Sequence, residues 1–249
     1  AIVASGNLTL QQAVPLVLGA NIGTTLTSTL VSLSYLMNRK EFRRALSAGI
    51  SHDVFNILTV FVLFPLEISF GFLSKTAIQI ASWFAADNSF EGPIVYNRMF
   101  TRSWTDWLVD QIQIPLISML LSILLIFLAI KFLSTAMYRS FVKNTFQDIN
   151  KVIFEKTGLA FFYGLFFTAA VQSSTVTTSL VVPLVANKKV TLAKAFPFII
   201  GTNIGTTITA VLASIYKPEA AIALALVHVL FNSFGALLFL PFQSIRILP

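Results

Sequence analysis

The sequence contains no cysteine and little charge, since charged residues make up 11% of its 249 positions and hydrophobic residues 56%. The lack of cysteine excludes disulfides and thiolate metal sites. Soluble domains are about a quarter charged, so the shortage of charge indicates a membrane protein. The net charge of +7 does not indicate a nucleic-acid partner, because the basic residues lie in short connections between apolar runs.

Groups for acid–base catalysis are also scarce. The sequence has two histidines, His52 and His228, and no pair of carboxylates placed for proton transfer. It offers neither a cysteine nucleophile nor a Ser–His–Asp arrangement. We therefore expect that the protein is not an enzyme.

Long apolar runs dominate the sequence. A bilayer is crossed by roughly 20 apolar residues, and each run is long enough for this. The runs cover residues 10–37, 45–73, 112–135, 158–187, 191–215 and 219–242. They predict an all-α polytopic protein embedded in the lipid bilayer of the cell membrane.

Two of the runs repeat one another. TLQQAVPLVLGANIGTTLTSTLVSL, residues 9–33, aligns without a gap with TLAKAFPFIIGTNIGTTITAVLASI, residues 191–215, and 13 of the 25 positions are identical. A second match pairs His52-x-x-Phe-Asn with His228-x-x-Phe-Asn. The chain is therefore predicted to contain two related halves.

The predicted organisation has three parts. Residues 1–74 form the first repeat and residues 158–249 the second. Residues 75–157 between them hold an external loop and one transmembrane helix.

Charge asymmetry predicts that the two repeats are inverted. Basic residues follow the first repeated segment, in NRKEFRR, whereas Lys188 and Lys189 precede the second segment and Lys194 lies at its start, before GTNIGTT. Because short basic loops stay on the cytoplasmic side, the first segment runs inward and the second outward. Inverted repeats are common in secondary transporters, whose substrate site lies at the midplane between them.

Polar motifs inside the apolar runs predict that site. GANIGTT and GTNIGTT each carry two glycines, which allow a helix to unwind, and QSSTVTTS adds an amide and six hydroxyls. These oxygens suit Na⁺, whereas the exposed N-termini of broken helices attract anions. No Arg or Lys lies within the phrases, so a bound anion would require co-bound cations.

The same polar motifs are also compatible with purely structural roles. G-x-x-x-G is a common helix-packing pattern, and Ser and Thr in membrane helices often bond their own backbone. His52 and His228 form either a functional pair or, as we favour, structural bonds to neighbouring helices. Asp53 either carries a cation or proton, or pairs with Arg43 or Arg44.

QSSTVTT followed by GTNIGTT, with an earlier GANIGTT, closely resembles the type II sodium–phosphate cotransporter family over residues 9–66 and 158–242. The resemblance implies import of inorganic phosphate coupled to sodium ions, by alternating access. It also implies re-entrant hairpins with Gln-Ser-Ser motifs, broken transmembrane helices, and substrate held between the halves.

The resemblance also implies site residues. The phosphate site would comprise Gln172, Ser173, Ser174, Thr175, Asn21, Thr24, Asn203 and Thr206. The sodium sites would comprise Gln172, Ser173, Thr175, Asn21, Thr25, Asn203 and Thr207.

The sequence departs from the family pattern in two ways. Thr175 stands where the family often has serine, and the first Gln-Ser-Ser would fall upstream of Ala1. We therefore expect a longer protein whose N-terminal part is missing here. Two alternative functions stay open: coupled transport of another small anion, such as a carboxylate or sulfate, and a non-transporting membrane scaffold or regulatory subunit. A homodimer is one candidate assembly.

Overall fold

The computed structural model describes residues 3, 7–85, 107, 110–112, 114, 116–125, 128, 152–214 and 218–241, and these contain helices and no strand. This confirms the all-α prediction. The main helices are α1 (Leu10–Ser32), α2 (Arg39–Phe70), α3 (Phe72–Ala85), α4 (Leu116–Leu125), α5 (Thr157–Val171), α6 (Ser174–Ala186), α7 (Leu192–Ser214) and α8 (Glu219–Phe239). A 3-10 turn at Leu33–Tyr35 extends α1.

Four of these helices are long and apolar enough to cross a membrane by length and composition. They are α1 with its 3-10 extension, α2, α7 and α8. α5 and α6 are shorter, with 15 and 13 residues. The chain forms two compact units, Ala1–Asp87 with Asp148–Pro249, and Asn88–Gln147. α4 lies in the second unit, and the rest of the helix predicted at 112–135 lies largely outside the described residues; the predicted repeat boundaries stay a prediction.

Local signals in the sequence set the helix ends. Thr9 and Gln12 form a capping box at the start of α1, where each side chain accepts from the other residue's backbone N–H. Asn38 caps α2 by accepting from the N–H groups of Lys40 and Glu41. Because only a short connection joins α1 to α2, the two helices fold back and pack on each other.

A carboxylate shapes the corner between α2 and α3. α2 ends at Gly71, which has a left-handed backbone with φ of 62°. Glu67 then accepts from the N–H groups of Leu73 and Ser74, at 2.7 and 3.2 Å, and from the Ser74 hydroxyl. Glu67 thereby satisfies the first free donors of α3 and fixes its direction.

The apolar core of the first unit lies among α1, α2, α3 and α8. Leu73, Ala77 and Ala81 are fully buried at four-residue spacing and turn one face of α3 toward α8. The rings of Phe72 and Phe234 lie 5.0 Å apart in this contact. A second cluster, around Phe55 and Ile200, joins α2 to α7 and α8.

The glycines of the two repeats have different roles. A Cβ on Gly201 or Gly205 of α7 would collide with backbone oxygens of Phe161 or Leu165 in α5. The backbones of α5 and α7 therefore approach closely, which is the packing role expected of G-x-x-x-G. The equivalent Gly19 and Gly23 of α1 have no neighbouring atom within 4 Å of such a Cβ among the described residues.

The predicted interruptions at GANIGTT and GTNIGTT are wrong, because both phrases lie inside the continuous helices α1 and α7. A glycine costs a helix only about 1 kcal/mol, and packing against neighbouring helices offsets this. The side chain of Asn21 donates to Val17 O at 3.0 Å, so part of its polarity is satisfied within the helix. The helix is interrupted instead between α5 and α6, at Gln172 and Ser173.

Candidate functional site: a helix break beside a crossed Asn–His network

The break between α5 and α6 consists of Gln172 and Ser173. Gln172 has a left-handed backbone, with φ of 56° and ψ of 26°, and its N–H donates to Thr168 O at 2.7 Å. Ser173 is extended and caps α6, because its Oγ accepts from Val176 N at 3.3 Å. A new helix therefore starts directly after the Gln-Ser pair.

The predicted site residues Gln172, Ser173, Ser174 and Thr175, here called QSST, lie at the start of this new helix. Gln172 is exposed, while Ser173, Ser174 and Thr175 are half-buried. The first N–H groups of α6 have no partner within the helix, and they lie at its positive dipole end. The break therefore presents hydroxyls and backbone donors together.

One contact joins this break to the first repeat. Thr175 Oγ1 lies 3.1 Å from Thr27 Oγ1 of α1, two residues after GANIGTT. Among the described residues, no hydrogen bond joins Gln172, Ser173 or Ser174 to Asn21 or Asn203. The structure thus brings QSST to α1 through a threonine pair and not through the asparagines.

The two asparagines are instead held by histidines of the opposite halves. Asn203 Oδ1 of α7 bonds His52 Nε2 of α2, and Asn21 Oδ1 of α1 bonds His228 Nε2 of α8 at 2.9 Å. Because a carbonyl oxygen only accepts, both Nε2 atoms are the donors. The expectation that each histidine bonds a neighbouring helix is confirmed, and in both cases the partner is the repeated asparagine.

Two further asparagines complete the network. Asn56 Nδ2 donates to Asn21 O at 2.7 Å, and Asn232 Nδ2 donates to Asn203 O at 3.2 Å. Asn203 Nδ2 also donates to Asn56 Oδ1 at 2.9 Å. These four asparagines are at most 5% exposed, so the network is a buried polar layer that links α1, α2, α7 and α8.

The predicted threonines bond their own helices. Thr24, Thr25, Thr206 and Thr207 each donate to the carbonyl three residues earlier. Thr25 and Thr207 are buried, Thr206 is half-buried and Thr24 is exposed. With their protons used in this way, these hydroxyls offer lone pairs, which suit a cation better than an anion.

Asp53 lies next to this layer, and among the described residues no ion pair joins it to Arg43 or Arg44. Its Oδ2 accepts from Thr29 Oγ1 at 2.6 Å, and the carboxylate is half-buried. Arg44 Nε donates to Ala186 O at 2.7 Å, at the end of α6. Among the described residues no group of three His, Asp or Glu side chains could hold a metal ion.

Basic side chains of both halves line a cavity of about 610 Å³. Lys40, Arg43 and Arg44 come from the start of α2, and Lys188 from the loop before α7. The end of the first repeated segment and the start of the second therefore lie close together, at a basic end of the unit.

Sequence reasoning identified most of these residues but not all their roles. Asn56 and Asn232 were visible only as matched positions of the repeated His-x-x-Phe-Asn motif. Thr27 is identical in both repeats but lies outside the seven-residue phrases. The repeat alignment was thus the signal that could have placed all three in the site.

Comparison with known proteins agrees with the motifs. A family model described as Na⁺/Pi-cotransporter matches residues 1–82 and 124–245. The chain is 27% identical to sodium-dependent phosphate transport protein 2B of Bos taurus and 29% identical to protein 2A of Mus musculus, both named as transport proteins. The alignments cover 98% of this chain and 49% and 50% of those relatives, so it spans about half of their length.

No solved structure matches the chain significantly. The family model nevertheless covers both repeated segments, both His-x-x-Phe-Asn motifs and the helix break at Gln172. The chain belongs to the Na⁺/Pi-cotransporter family.

Proposed function

We propose that the protein is a sodium-coupled secondary transporter that imports inorganic phosphate across the cell membrane by alternating access. The relatives are named sodium-dependent phosphate transport proteins, so the proposed site has to bind both sodium and phosphate. The observation that carries the proposal is the helix break at Gln172 and Ser173, which leaves the first N–H groups of α6 without partners in the helix, in an apolar setting. A phosphate needs such donors because burying its charge unpaired is costly.

The start of α6 supplies the donors for phosphate. Ser173 Oγ accepts from Val176 N, so its own proton stays available to an oxygen outside the helix. The Ser174 and Thr175 N–H groups add backbone donors at the positive end of the helix. Gln172 adds an exposed amide.

The buried threonines supply oxygens for sodium. Thr25 and Thr207 use their protons on their own helices, and their lone pairs stay available. Asn21 and Asn203 each use an amide oxygen with a histidine, but such an oxygen has a second lone pair. Na⁺ at these oxygens would offset the phosphate charge, which gives a physical reason for coupled transport.

Inverted repeats and a re-entrant hairpin belong to the same proposal. The crossed Asn–His bonds and the shared basic cavity support an arrangement in which the first segment ends where the second begins. α5 and α6, with 15 and 13 residues, are each shorter than the roughly 20 residues of a full crossing, which supports a hairpin. A homodimer stays a candidate assembly.

Uptake of radiolabelled phosphate into proteoliposomes that contain the full-length protein tests the proposal. Uptake should require Na⁺ and fall to background when choline replaces it. Ser173→Ala with Ser174→Ala should lower uptake at limiting phosphate about tenfold or more, because hydrogen bonds to a charged ligand are lost. Ser82→Ala is the matched control, since this exposed serine donates to Gln79 O in α3, away from the break.

Three outcomes would contradict the proposal. Uptake that is unaffected by choline would exclude sodium coupling. Inhibition by sulfate or a carboxylate at concentrations where phosphate itself is ineffective would identify another anion. Full uptake by the double alanine variant would show that the hydroxyls at the break do not bind substrate.

A further inference from the structure

The buried asparagine layer has two-fold symmetry in all but one of its bonds. The alignment of the repeats pairs Asn21 with Asn203 and Asn56 with Asn232. The bonds from the histidines to the amide oxygens occur in both halves, as do the bonds from Asn56 and Asn232 to main-chain carbonyls. Four bonds thus form two symmetric pairs.

The fifth bond has no symmetric counterpart. Asn203 Nδ2 donates to Asn56 Oδ1 at 2.9 Å. The equivalent donor, Asn21 Nδ2, is turned to Val17 O of its own helix at 3.0 Å. Its symmetric acceptor, Asn232 Oδ1, is fully buried and has no hydrogen-bond partner within the part of the chain that the structure describes.

A buried carbonyl oxygen without a partner is costly, and native structures keep few of them. Here the missing donor belongs to Asn21, which already contacts the same layer through its Oδ1. Turning the Asn21 amide from Val17 O to Asn232 Oδ1 would satisfy that oxygen. The equivalent turn in α7 would move the Asn203 amide from Asn56 Oδ1 to Ile199 O, which is the counterpart of Val17 O and also accepts from Thr202 Oγ1 at 2.7 Å.

We propose that Asn56 and Asn232 are positioning residues that exchange one hydrogen bond between two conformations of the transporter. In the conformation described here Asn203 donates to Asn56, and in the opposite-facing conformation Asn21 donates to Asn232. The inference rests on the proposed transport function, because inverted repeats reach opposite-facing states by exchanging their conformations. The exchange keeps the number of bonds constant, so the two states stay close enough in free energy for both to be populated.

Asn56→Leu and Asn232→Leu test this exchange as a matched pair. Both variants lose the equivalent bond to a main-chain carbonyl, and leucine preserves the approximate volume. They differ only in which exchanged acceptor is removed. Asn56→Leu should therefore shift the population toward the opposite-facing conformation, and Asn232→Leu toward the conformation described here.

Cysteine accessibility provides the readout. Ala170 is exposed two residues before Gln172, and the sequence has no cysteine, so Ala170→Cys can be the single labelled thiol of a full-length protein without other cysteines. A membrane-impermeant reagent applied to either side of oriented vesicles gives the ratio of labelling rates. This ratio should move about fivefold in opposite directions in the two variants, as expected for one neutral hydrogen bond.

The double variant and thermal unfolding distinguish the exchange of one hydrogen bond from a general loss of structure. Asn56→Leu with Asn232→Leu removes both exchanged bonds, and its labelling ratio should return toward the wild-type value. The Tm in detergent should fall by similar amounts in the two single variants, because each loses a bond to a main-chain carbonyl that exists in this conformation.

Labelling ratios that move in the same direction, or that do not move, would overturn the exchange. Labelling needs no phosphate, so this result is separate from the transport assay. Sodium-dependent uptake together with same-direction shifts would contradict the exchange and leave the proposed function standing. Opposite shifts without phosphate uptake would contradict only the proposed substrate.

Discussion

The repeated glycines give a prediction with its own internal control. Gly201→Ala places a methyl group against Phe161 O, 2.9 Å from Leu165 N and 3.0 Å from Phe161 C. These are backbone atoms, which cannot rotate away as a side chain would. The substitution therefore forces α5 and α7 apart along their contact.

The size of the effect follows from overpacking. Inserting a methylene-sized group into a close-packed contact costs about 1–3 kcal/mol. Three backbone atoms lie within about 3.0 Å of the added Cβ, so we take the upper end of this cost, about 3 kcal/mol, of which helix propensity offsets about 1 kcal/mol. For a chain of this length, about 2–4 °C of Tm corresponds to each kcal/mol, so Gly201→Ala should lower the Tm by about 4–8 °C.

Gly19→Ala is the control at the equivalent position of the first repeat. No atom of the described residues lies within 4 Å of its added Cβ, so the substitution creates no collision. The gain in helix propensity, about 1 kcal/mol, should raise the Tm by about 2–4 °C. The two substitutions are therefore expected to have opposite signs although they change the same residue of the same motif.

Thermal unfolding of the purified variants in detergent, followed by circular dichroism, measures both effects. A Tm for Gly201→Ala equal to or above that of the wild type would refute close packing of the α5 and α7 backbones. A Tm for Gly19→Ala as low as that for Gly201→Ala would show that α1 is packed as α7 is, contrary to the described residues.

The remaining predictions concern the buried hydroxyls and imidazoles. Thr25→Val and Thr207→Val should weaken the apparent affinity for Na⁺ in uptake assays severalfold, because each removes one oxygen that could bind the ion. Thr59→Val, which removes a buried hydroxyl of α2 that bonds Phe55 O, should leave the Na⁺ dependence unchanged. His52→Ala and His228→Ala should each destabilise the protein by about 1–3 kcal/mol, since a buried amide oxygen loses its donor, and denaturant unfolding would measure this. An unchanged stability of both histidine variants would contradict the crossed bonds.

Much of the fold followed from the sequence because its signals are local or periodic. Apolar length predicted the long helices, and the repeat alignment selected the residues of the buried layer. The alignment could not show that His52 bonds Asn203 and not Asn21, because the partner depends on how α2 and α7 pack. The sequence does not indicate that Gln172 has a left-handed backbone, a conformation that is uncommon for residues other than glycine.

The prediction that failed has a clear physical reason. Glycine weakens a helix, but the same lack of a side chain permits close backbone packing, and the sequence alone does not show which effect dominates. In α7 packing dominates, since Gly201 and Gly205 lie against α5. Only the break at Gln172 and Ser173, which lacks glycine altogether, interrupts a helix in the predicted site.

The hydrogen bonds that the predicted site residues of the buried layer already form constrain how ligands can bind. The amide oxygens of Asn21 and Asn203 already accept from histidines, and Thr25 and Thr207 already donate to their own helices. An anion needs donors and would have to break these bonds, whereas a cation needs only lone pairs and adds to them.

Donors that are not engaged within a helix lie instead at the start of α6, next to Thr27 of the first repeat. Under the proposed function the two tasks are therefore separate: the layer shared by both halves would bind sodium, and the helix break would bind phosphate. Thr27, which contacts Thr175 at the break, lies on α1 together with Asn21 and Thr25, so this one helix carries residues of both places.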